Sequence, residues 1–182
     1  MAKAYVFLAD GFETVEALAV VDILRRAGVE TVTVGVSQKN ELISAQKIVV
    51  RADKILDDED YTDADIVFLP GGMPGTKNLE ADDKVLTIIK KQYESGKIVA
   101  AICAAPSILG HLNILQGRKA TCYPGFEKDL YGAKVMTDRV VEDGNVITSR
   151  GMGTAVDLGL TLIERLFGSE ASGKIASGIQ YR

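Results

Sequence analysis

The sequence predicts an α/β fold with a mostly parallel central sheet and helices on both of its faces. Short runs of apolar and β-branched residues alternate with helical patterns of about ten to fifteen residues, which is typical of βαβ units. Several of these runs are apolar throughout, as expected for strands that are buried on both faces. Apolar residues make up 47% of the 182 positions, so we expect a single domain over residues 1–182 with a substantial core.

The first half of the chain contains three predicted strands and two predicted helices. The strands lie at residues 5–9, 29–36 and 66–69, and the helices at about residues 13–26 and 82–95. Gly28 follows the first helix at a position that suits a left-handed C′ residue. Residues 40–60 have a weaker pattern, which indicates a short hairpin or edge strand around residues 48–50 and then an acidic turn.

The second half continues this alternation. An apolar strand at residues 98–102 precedes a helix at residues 107–115 and a short strand at residues 119–122. Residues 135–141 and 146–149 indicate a hairpin, and a helix over residues 151–167 is followed by a small helical tail. Ligand sites of such sheets lie beyond the carboxyl ends of the strands. We therefore expect a site among the loops that follow residues 9, 69, 102 and 122.

Composition and charge exclude several classes of protein. The net charge of −4 does not suit sequence-independent nucleic-acid binding, which needs a surplus of Lys and Arg. No apolar stretch approaches the length of a membrane span, and the first strand pattern meets Asp10 too early for a signal peptide. The two cysteines do not make a disulfide framework. We expect a cytoplasmic protein that binds neither a membrane nor a specific nucleic-acid sequence.

Cys103 stands at the junction between a predicted strand and a predicted helix. It directly follows the apolar run at residues 98–102, and Pro106 suits the first turn of a helix. The positive end of a helix dipole favours a thiolate, and strand–turn–helix elbows present the nucleophile in hydrolases. A cysteine that only fills space in the core is the alternative. The junction favours a reactive thiol.

Glu16 lies about one turn into the first predicted helix, among neighbours that are almost wholly apolar. A carboxyl group in such surroundings is either paired or has a raised pKa and stays protonated. A protonated Glu16 would donate a hydrogen bond to a thiolate or move a proton at a carbonyl carbon. The alternative is a surface carboxylate that stabilises the helix dipole.

Gly71 and Gly72 form the loop after the strand at residues 66–69. Adjacent glycines permit a close approach of the backbone and leave N–H groups free to bind a developing oxyanion. This loop matches neither the phosphate-binding nor the dinucleotide-binding pattern, and Gly151-Met152-Gly153 is weak evidence for a nucleotide. A tight turn is the alternative for both segments. No group of Cys, His and Asp has the spacing of metal ligands, so we expect no metal site.

The remaining candidate side chains are His111, Cys122 and Tyr123. His111 is the only histidine, and it falls on the apparent packing face of the helix predicted at residues 107–115, which indicates a structural or surface role. Strand alternation places Cys122 and Tyr123 on opposite faces. We expect Tyr123 to face the site and Cys122 to lie in the core, unpaired with Cys103.

Four motifs, in this order, resemble the ThiJ/PfpI superfamily and most closely its parkinsonism-associated deglycase branch. They are residues 11–16 (GFETVE) with 22–28 (DILRRAG), residues 69–72 (LPGG), residues 100–106 (AAICAAP) and residues 148–154 (TSRGMGT). Together they extend over nearly the whole chain. The resemblance implies a flavodoxin-like, three-layer sandwich of the class I glutamine amidotransferase type, usually as a homodimer.

The resemblance also implies roles for individual residues. Cys103 would be the nucleophile and Glu16 its protonated partner, with the backbone N–H groups of Gly72 and Ala104 in the oxyanion pocket. Further candidates for residues that line the site are Gly71, Glu13, Tyr123 and Arg26, and the family places Arg26 and the first helix near the dimer interface.

Two departures from the family pattern limit the mechanism. Many relatives have a histidine where this chain has Tyr123, and a phenol cannot act as a base near neutral pH. The proteolytic branch has a histidine directly after the cysteine, and Ala104 in that position argues against a protease.

Members of the family are described as cofactor-free glyoxalases that convert methylglyoxal into lactate, as deglycases, as oxidative-stress sensors and as chaperones. The leading hypothesis is a glyoxalase or deglycase that acts on small α-oxoaldehydes or their early adducts. A redox sensor or chaperone that uses the same cysteine without turnover is the alternative. A plain ligand-binding module is a third reading, and it predicts an ordinary thiol pKa of about 8.5.

Overall fold

A mixed, mostly parallel sheet forms the centre of the molecule. The computed structural model describes residues 1–57, 59 and 61–181. In chain order, the described elements are β1 (Lys3–Leu8), α1 (Thr14–Arg26), β2 (Glu30–Gly35), β3 (Glu41–Ile43), β4 (Val49–Arg51), β5 (Lys54–Ile55), β6 (Ile66–Leu69), α2 (Gly75–Glu80), α3 (Asp83–Glu94), β7 (Ile98–Ile102), α4 (Pro106–His111), β8 (Lys119–Ala120), β9 (Lys134–Val135), β10 (Val140–Asp143), β11 (Val146–Ser149), α5 (Ala155–Phe167) and α6 (Ser169–Gly178).

The central sheet has the strand order β10-β11-β7-β6-β1-β2-β5. Its strands are parallel, except that β10 and β11 form an antiparallel hairpin. Parallel neighbours present their carboxyl ends at one edge, so the ends of β1, β6, β7 and β11 lie side by side. This arrangement confirms the predicted fold class.

Helices cover both faces of the sheet, which explains why its strands are apolar throughout. Alternate residues of β1 pack into two different cores: Val6 joins the core formed with α1 and α5, and Phe7 joins the one formed with α2, α3 and α4. Both side chains are fully buried. The result is the three-layer sandwich that the sequence predicts.

The helix that carries Glu16 has clear start and stop signals. Glu13 is the N-cap of α1, and its carboxylate accepts the N–H of Glu16 at 2.6 Å. Arg25 and Arg26 stand in the last turn, where positive charge stabilises the helix dipole. Gly28 has a φ of +78°, which confirms it as the left-handed residue beyond the helix.

Several predicted elements differ from the observed ones. The strand predicted at residues 119–122 ends at Ala120 and pairs with β9 outside the central sheet, because the N–H of Thr121 bonds to the Thr148 hydroxyl instead of continuing a ladder. The strand predicted at residues 135–141 is divided between β9 and β10. The helix predicted at residues 107–115 ends at His111. The short helix α2 was not predicted, because it has only six residues and directly follows a loop rich in proline and glycine.

The hairpin predicted around residues 48–50 is confirmed as the antiparallel pair β3–β4. Asp58 and Asp60 of the predicted acidic turn lie outside the described residues. None of the helices in the described chain is long and apolar enough to cross a membrane.

Candidate active site

Cys103 occupies a sharp turn at the carboxyl end of β7. Its backbone has a φ of +65°, a left-handed conformation that few non-glycine residues adopt. Two backbone hydrogen bonds hold it there: its N–H donates to the carbonyl of Ser149 at 2.9 Å, and its carbonyl accepts the N–H of Tyr123 at 2.8 Å. Since α4 begins at Pro106, the predicted strand–turn–helix elbow is confirmed.

The thiol of Cys103 meets three polar groups. Its side chain is hydrogen-bonded to the carboxyl group of Glu16, and the backbone N–H groups of Gly72 and Ala104 donate to its sulfur. These are the residues that the sequence analysis gave as nucleophile, partner and oxyanion pocket. The structure brings all four together at the ends of β6 and β7 and the start of α1.

Glu16 is 1% exposed, so it is not the surface carboxylate of the alternative interpretation. Its Oε2 accepts the N–H of Gly71 at 3.0 Å, and the N–H of Met152 also donates to the carboxylate. Burial, and to a smaller extent the charge of Glu13, raise the pKa of Glu16 to about 7, while the hydrogen bonds from Cys103, Gly71 and Met152 act in the opposite direction. Of the two alternatives for a carboxyl group in apolar surroundings, pairing or a raised pKa, Glu16 shows both hydrogen-bond partners and a raised pKa.

The pKa of the Cys103 thiol does not follow the sequence prediction. Burial raises it to about 12, with further contributions from the charge and the hydrogen bond of Glu16, and the N–H groups of Gly72 and Ala104 only partly offset this. The prediction considered the start of α4, a helix of six residues, and left out desolvation and the neighbouring carboxylate. The raised pKa also differs from the ordinary value that a plain ligand-binding module predicts.

The two groups therefore titrate as a pair. While Glu16 is ionised, its negative charge opposes a thiolate. Once Glu16 holds the proton, that charge is gone and its O–H becomes a third donor to the sulfur, beside the N–H groups of Gly72 and Ala104. The thiolate of Cys103 is thus favoured in the state in which Glu16 carries the proton.

Gly71 and Gly72 make this close approach possible. A β-carbon at Gly71 would lie 2.6 Å from Cβ of Cys103 and 2.7 Å from Oε2 of Glu16. Gly72 has a φ of +91°, and a β-carbon there would lie 2.3 Å from the backbone nitrogen of Glu13. Any side chain at either position would displace the loop from the thiol, so these glycines are more than a tight turn.

The other candidate residues divide into two groups. Glu13 lies beside the pair, since its N–H donates to the carbonyl of Gly71 at 2.9 Å. Tyr123 also lies close by, held through its N–H to Cys103. Arg26 does not belong to the cluster: it stands ten positions beyond Glu16 on α1, about 15 Å along the helix, and pairs with Asp22 at 2.5 Å.

Cys122 and His111 have the non-catalytic positions that were expected. Cys122 is buried in the core, and neither it nor Cys103 forms a disulfide. His111, at the end of α4, contacts the carboxylate of Glu80 and lies 3.7 Å from that of Asp129, away from the thiol.

A groove of about 490 Å³ that the sequence did not predict lies beside Glu16. It is lined by Tyr123, Pro124, Arg139, Arg150 and residues 151–154. The signal was present in the sequence, because the loop at residues 150–154 follows a predicted strand, but that strand was assigned to a hairpin only. Since β11 also runs parallel to β7, its carboxyl end lies at the same edge as Cys103.

Within residues 1–57, 59 and 61–181, no group of three or more His, Cys, Asp and Glu side chains is arranged to hold a metal ion. The chemistry of the described cluster is that of a thiol, a carboxyl group and backbone donors.

Comparison with known proteins identifies relatives over almost the whole chain. The model of the DJ-1/PfpI family matches residues 2–165, which include every candidate residue above. The chain is 35% identical over 177 residues to the Parkinson disease protein 7 homolog of Danio rerio, covering 95% of this chain and 94% of that protein. It is 33% identical over 153 residues to a protein of Thermococcus kodakarensis that is named a deglycase, covering 83% and 91%.

Some relatives are much longer than this chain. Protein DJ-1 homolog B of Arabidopsis thaliana is 36% identical over 164 residues, which are 90% of this chain but 37% of that protein. The chain thus spans well under half the length of this plant relative.

Solved structures of relatives have the same fold. A DJ-1 superfamily protein from Salmonella typhimurium superposes with a TM-score of 0.96 at 34% identity, covering 100% of both chains. The oxidized form of Toxoplasma gondii DJ-1 superposes with a TM-score of 0.95 at 33% identity, covering 100% of this chain and 99% of the other.

Proposed function

The chain belongs to the DJ-1/PfpI family, and on that basis we propose that it is a cofactor-independent glyoxalase or deglycase that uses Cys103 on methylglyoxal-type α-oxoaldehydes or their early adducts. One observation carries this proposal: the thiol is hydrogen-bonded to a buried carboxyl group while two backbone N–H groups donate to its sulfur. The T. kodakarensis relative named a deglycase supports it.

The first step is addition of the Cys103 sulfur to the aldehyde carbon. The C–S bond forms, the carbonyl π bond breaks, and the resulting oxyanion is stabilised by the N–H groups of Gly72 and Ala104. The thiol proton passes to Glu16, which has a pKa of about 7 and can both take and return a proton near neutral pH. The oxyanion then takes up that proton, which gives a neutral hemithioacetal and leaves Glu16 ionised.

The second step moves a proton between the two former carbonyl carbons. The Glu16 carboxylate takes the proton of the sulfur-bearing carbon, which gives an enediolate, and returns it to the neighbouring carbon, while the hydroxyl proton of the hemithioacetal passes to the oxygen on that carbon. The product is a thioester of the 2-hydroxy acid. Water hydrolyses the C–S bond, releases lactate and restores the thiol, so the sum is methylglyoxal plus water to lactate. An early adduct would enter the same route after loss of its amine.

The test is lactate formation from methylglyoxal in the absence of glutathione. We expect turnover by the native chain, a fall of at least a hundredfold in Cys103→Ser, and a fall of similar size in Glu16→Gln, which keeps a hydrogen-bonding side chain but cannot shuttle the proton. Cys122→Ser is the matched control, because it removes a thiol that is buried outside the cluster. Equal rates in the native chain and Cys103→Ser would refute the proposal.

Redox sensing by the same thiol is a second candidate function. The N–H groups of Gly72 and Ala104, with protonated Glu16, would stabilise the oxygens of a sulfinate formed by two successive peroxide oxidations, each of which releases water. The oxidized state of the T. gondii relative is consistent with it. Mass spectrometry after mild peroxide treatment should show two added oxygens on Cys103. An unmodified Cys103 would eliminate this candidate.

A further inference from the structure

Arg150 lies next to the site, but the chemistry above gives it no part. Its chain neighbours are Ser149, whose carbonyl accepts the N–H of Cys103, and Gly151, which has no side chain. Among the residues that the structure describes, its guanidinium group makes no ion pair and no hydrogen bond; only its backbone N–H is engaged, with the carbonyl of Arg139 at 3.3 Å. The charge of Arg150 contributes to lowering the pKa of Glu127, but the two side chains form no ion pair, and the Glu127 carboxylate accepts the N–H of Gly125 at 2.7 Å.

Two cations line the groove, Arg139 and Arg150, and only Arg150 has no ion-pair partner among the described residues. Arg139 also lines the groove, but its positive charge is paired with Asp157 at 2.6 Å. The thirteen-residue helix α5 begins at the groove and directs the positive end of its dipole there. An unpaired guanidinium and a helix N-terminus together favour an anion.

The wall of the groove also lies close to the carboxyl group of Glu16. A β-carbon at Gly151 would lie 3.8 Å from Oε1 of Glu16 and 3.2 Å from the ring of Tyr123, so this glycine separates the groove from the carboxyl group by little more than its own backbone. The exposed side chains of Tyr123 and Met152 provide apolar walls along the groove. Tyr123, which lines the groove together with Arg150, donates its N–H to the carbonyl of Cys103 at 2.8 Å, so the groove adjoins the cysteine.

We propose that Arg150 binds an anionic tail of the substrate, so that the preferred substrates are α-oxoaldehydes that carry a carboxylate or a phosphate. The inference rests on the proposed function and names its substrate class. For 4,5-dioxopentanoate, addition of the thiol, the proton shift and hydrolysis would consume one water and give 2-hydroxyglutarate. No further reactant is needed.

The first experiment compares 4,5-dioxopentanoate with its neutral methyl ester. We expect the native chain to have a kcat/KM at least tenfold higher for the anion, and Arg150→Gln to lose that preference, because a hydrogen bond to a charged group is worth roughly this factor. Arg150→Lys should keep part of it. Arg165→Gln is the matched control, since it also removes one positive charge but lies near the far end of α5. A native enzyme that favours the ester, or equal losses on both substrates in Arg150→Gln, would overturn the inference.

A second experiment does not depend on turnover. Cys103 is labelled with 3-maleimidopropionate or with neutral N-ethylmaleimide, and labelling of Cys103→Ser is subtracted as the background from Cys122. The rate with the anionic maleimide is divided by the rate with the neutral one, and this ratio is divided by the same ratio for free glutathione. The result should exceed one in the native chain and fall several-fold in Arg150→Gln but not in Arg165→Gln. A ratio that Arg150→Gln leaves unchanged would contradict an anion site.

The two experiments separate the failure of this inference from that of the proposed function. Turnover without any dependence on Arg150 would reject the anion site and leave the glyoxalase intact. A labelling preference that depends on Arg150 in a chain without turnover would reject the enzyme, and with it the substrate class, but retain an anion site beside the thiol.

Discussion

The carboxyl group of Glu16 is hydrogen-bonded to the thiol of Cys103, in a position where Glu16 is almost closed to solvent. Two acidic groups in such contact resist simultaneous ionisation, because neither charge is well solvated and the two repel each other. One proton therefore leaves the pair near neutral pH and the second only at much higher pH. The position of the remaining proton decides whether the sulfur acts as a nucleophile.

This pair makes stability depend on pH. Burial raises the pKa of Glu16 from 4.5 to about 7, so the folded state binds its proton more tightly than the unfolded state does. The resulting stabilisation is complete below about pH 4.5 and is lost as the pH rises through 7. A difference of about 2.5 units corresponds to roughly 3 kcal/mol.

We therefore expect the native chain to lose about 2–3 kcal/mol more free energy of unfolding between pH 5 and pH 8 than Glu16→Gln, which does not ionise. Urea unfolding of both chains at the two pH values measures this. Parallel pH dependences would show that the buried carboxyl group is not the source.

Gly71→Ala should disrupt the site more than the fold. The new methyl group would lie 2.6 Å from Cβ of Cys103 and 2.7 Å from a carboxylate oxygen of Glu16, so the two side chains must separate. We expect a loss of about 1–3 kcal/mol in the free energy of unfolding, as for overpacking in a core, and a fall of at least a hundredfold in methylglyoxal turnover.

Gly173→Ala is the control for this substitution. It adds the same methyl group in α6, where nothing lies within 4 Å, and should stabilise the helix by up to about 1 kcal/mol. If Gly71→Ala retained native turnover, the close approach at Gly71 would have no role in the reaction.

Much of this site could be predicted from sequence, because its parts are set by local rules. An apolar strand that runs into Cys103 and then Pro106 defines the elbow, and apolar neighbours around Glu16 indicate a buried carboxyl group. The glycines at 71 and 72 indicate a close backbone approach. Each of these signals lies within a few residues of the group it describes.

The predictions that the structure contradicts concern features that depend on groups distant in sequence. The prediction that the helix start favours the thiolate was wrong because burial and Glu16, which is distant in sequence, raise the pKa of the thiol. The sequence around Cys103 shows only the adjacent helix start. The strand predicted at residues 119–122 was shortened by hydrogen bonds to Thr148 and Cys103, which no local pattern reveals. The groove beside Arg150 was missed because the sequence alone did not show that β11 runs parallel to β7.

Cys122 offers a test of the division between core and site. It is 2% exposed and packs among apolar side chains, so Cys122→Ala should cost roughly 1 kcal/mol in stability through a small cavity. Methylglyoxal turnover and the labelling rate of Cys103 should stay within twofold of the native values. A large loss of either, without unfolding by circular dichroism, would mean that the second thiol participates in the chemistry.

Because Cys103 has a left-handed backbone conformation, we expect glycine at this position not to lower the free energy of unfolding as it usually does. A non-glycine residue at a φ of +65° costs about 1–2 kcal/mol, whereas glycine elsewhere destabilises by roughly 0.5–1 kcal/mol through the entropy of the unfolded chain. Cys103→Gly and Cys103→Ala both remove the thiol, so their difference isolates the backbone. We expect the glycine variant to be as stable as the alanine variant or up to about 1 kcal/mol more stable.

Ala104→Gly is the adjacent control, since Ala104 belongs to the same elbow but does not have a positive φ. There glycine should destabilise by at least about 0.5–1 kcal/mol in the same urea titration. If glycine were equally unfavourable at both positions, the elbow would not hold Cys103 in a strained conformation. The opposite signs at two neighbouring residues would instead show that the fold imposes this backbone angle on the residue that carries the thiol.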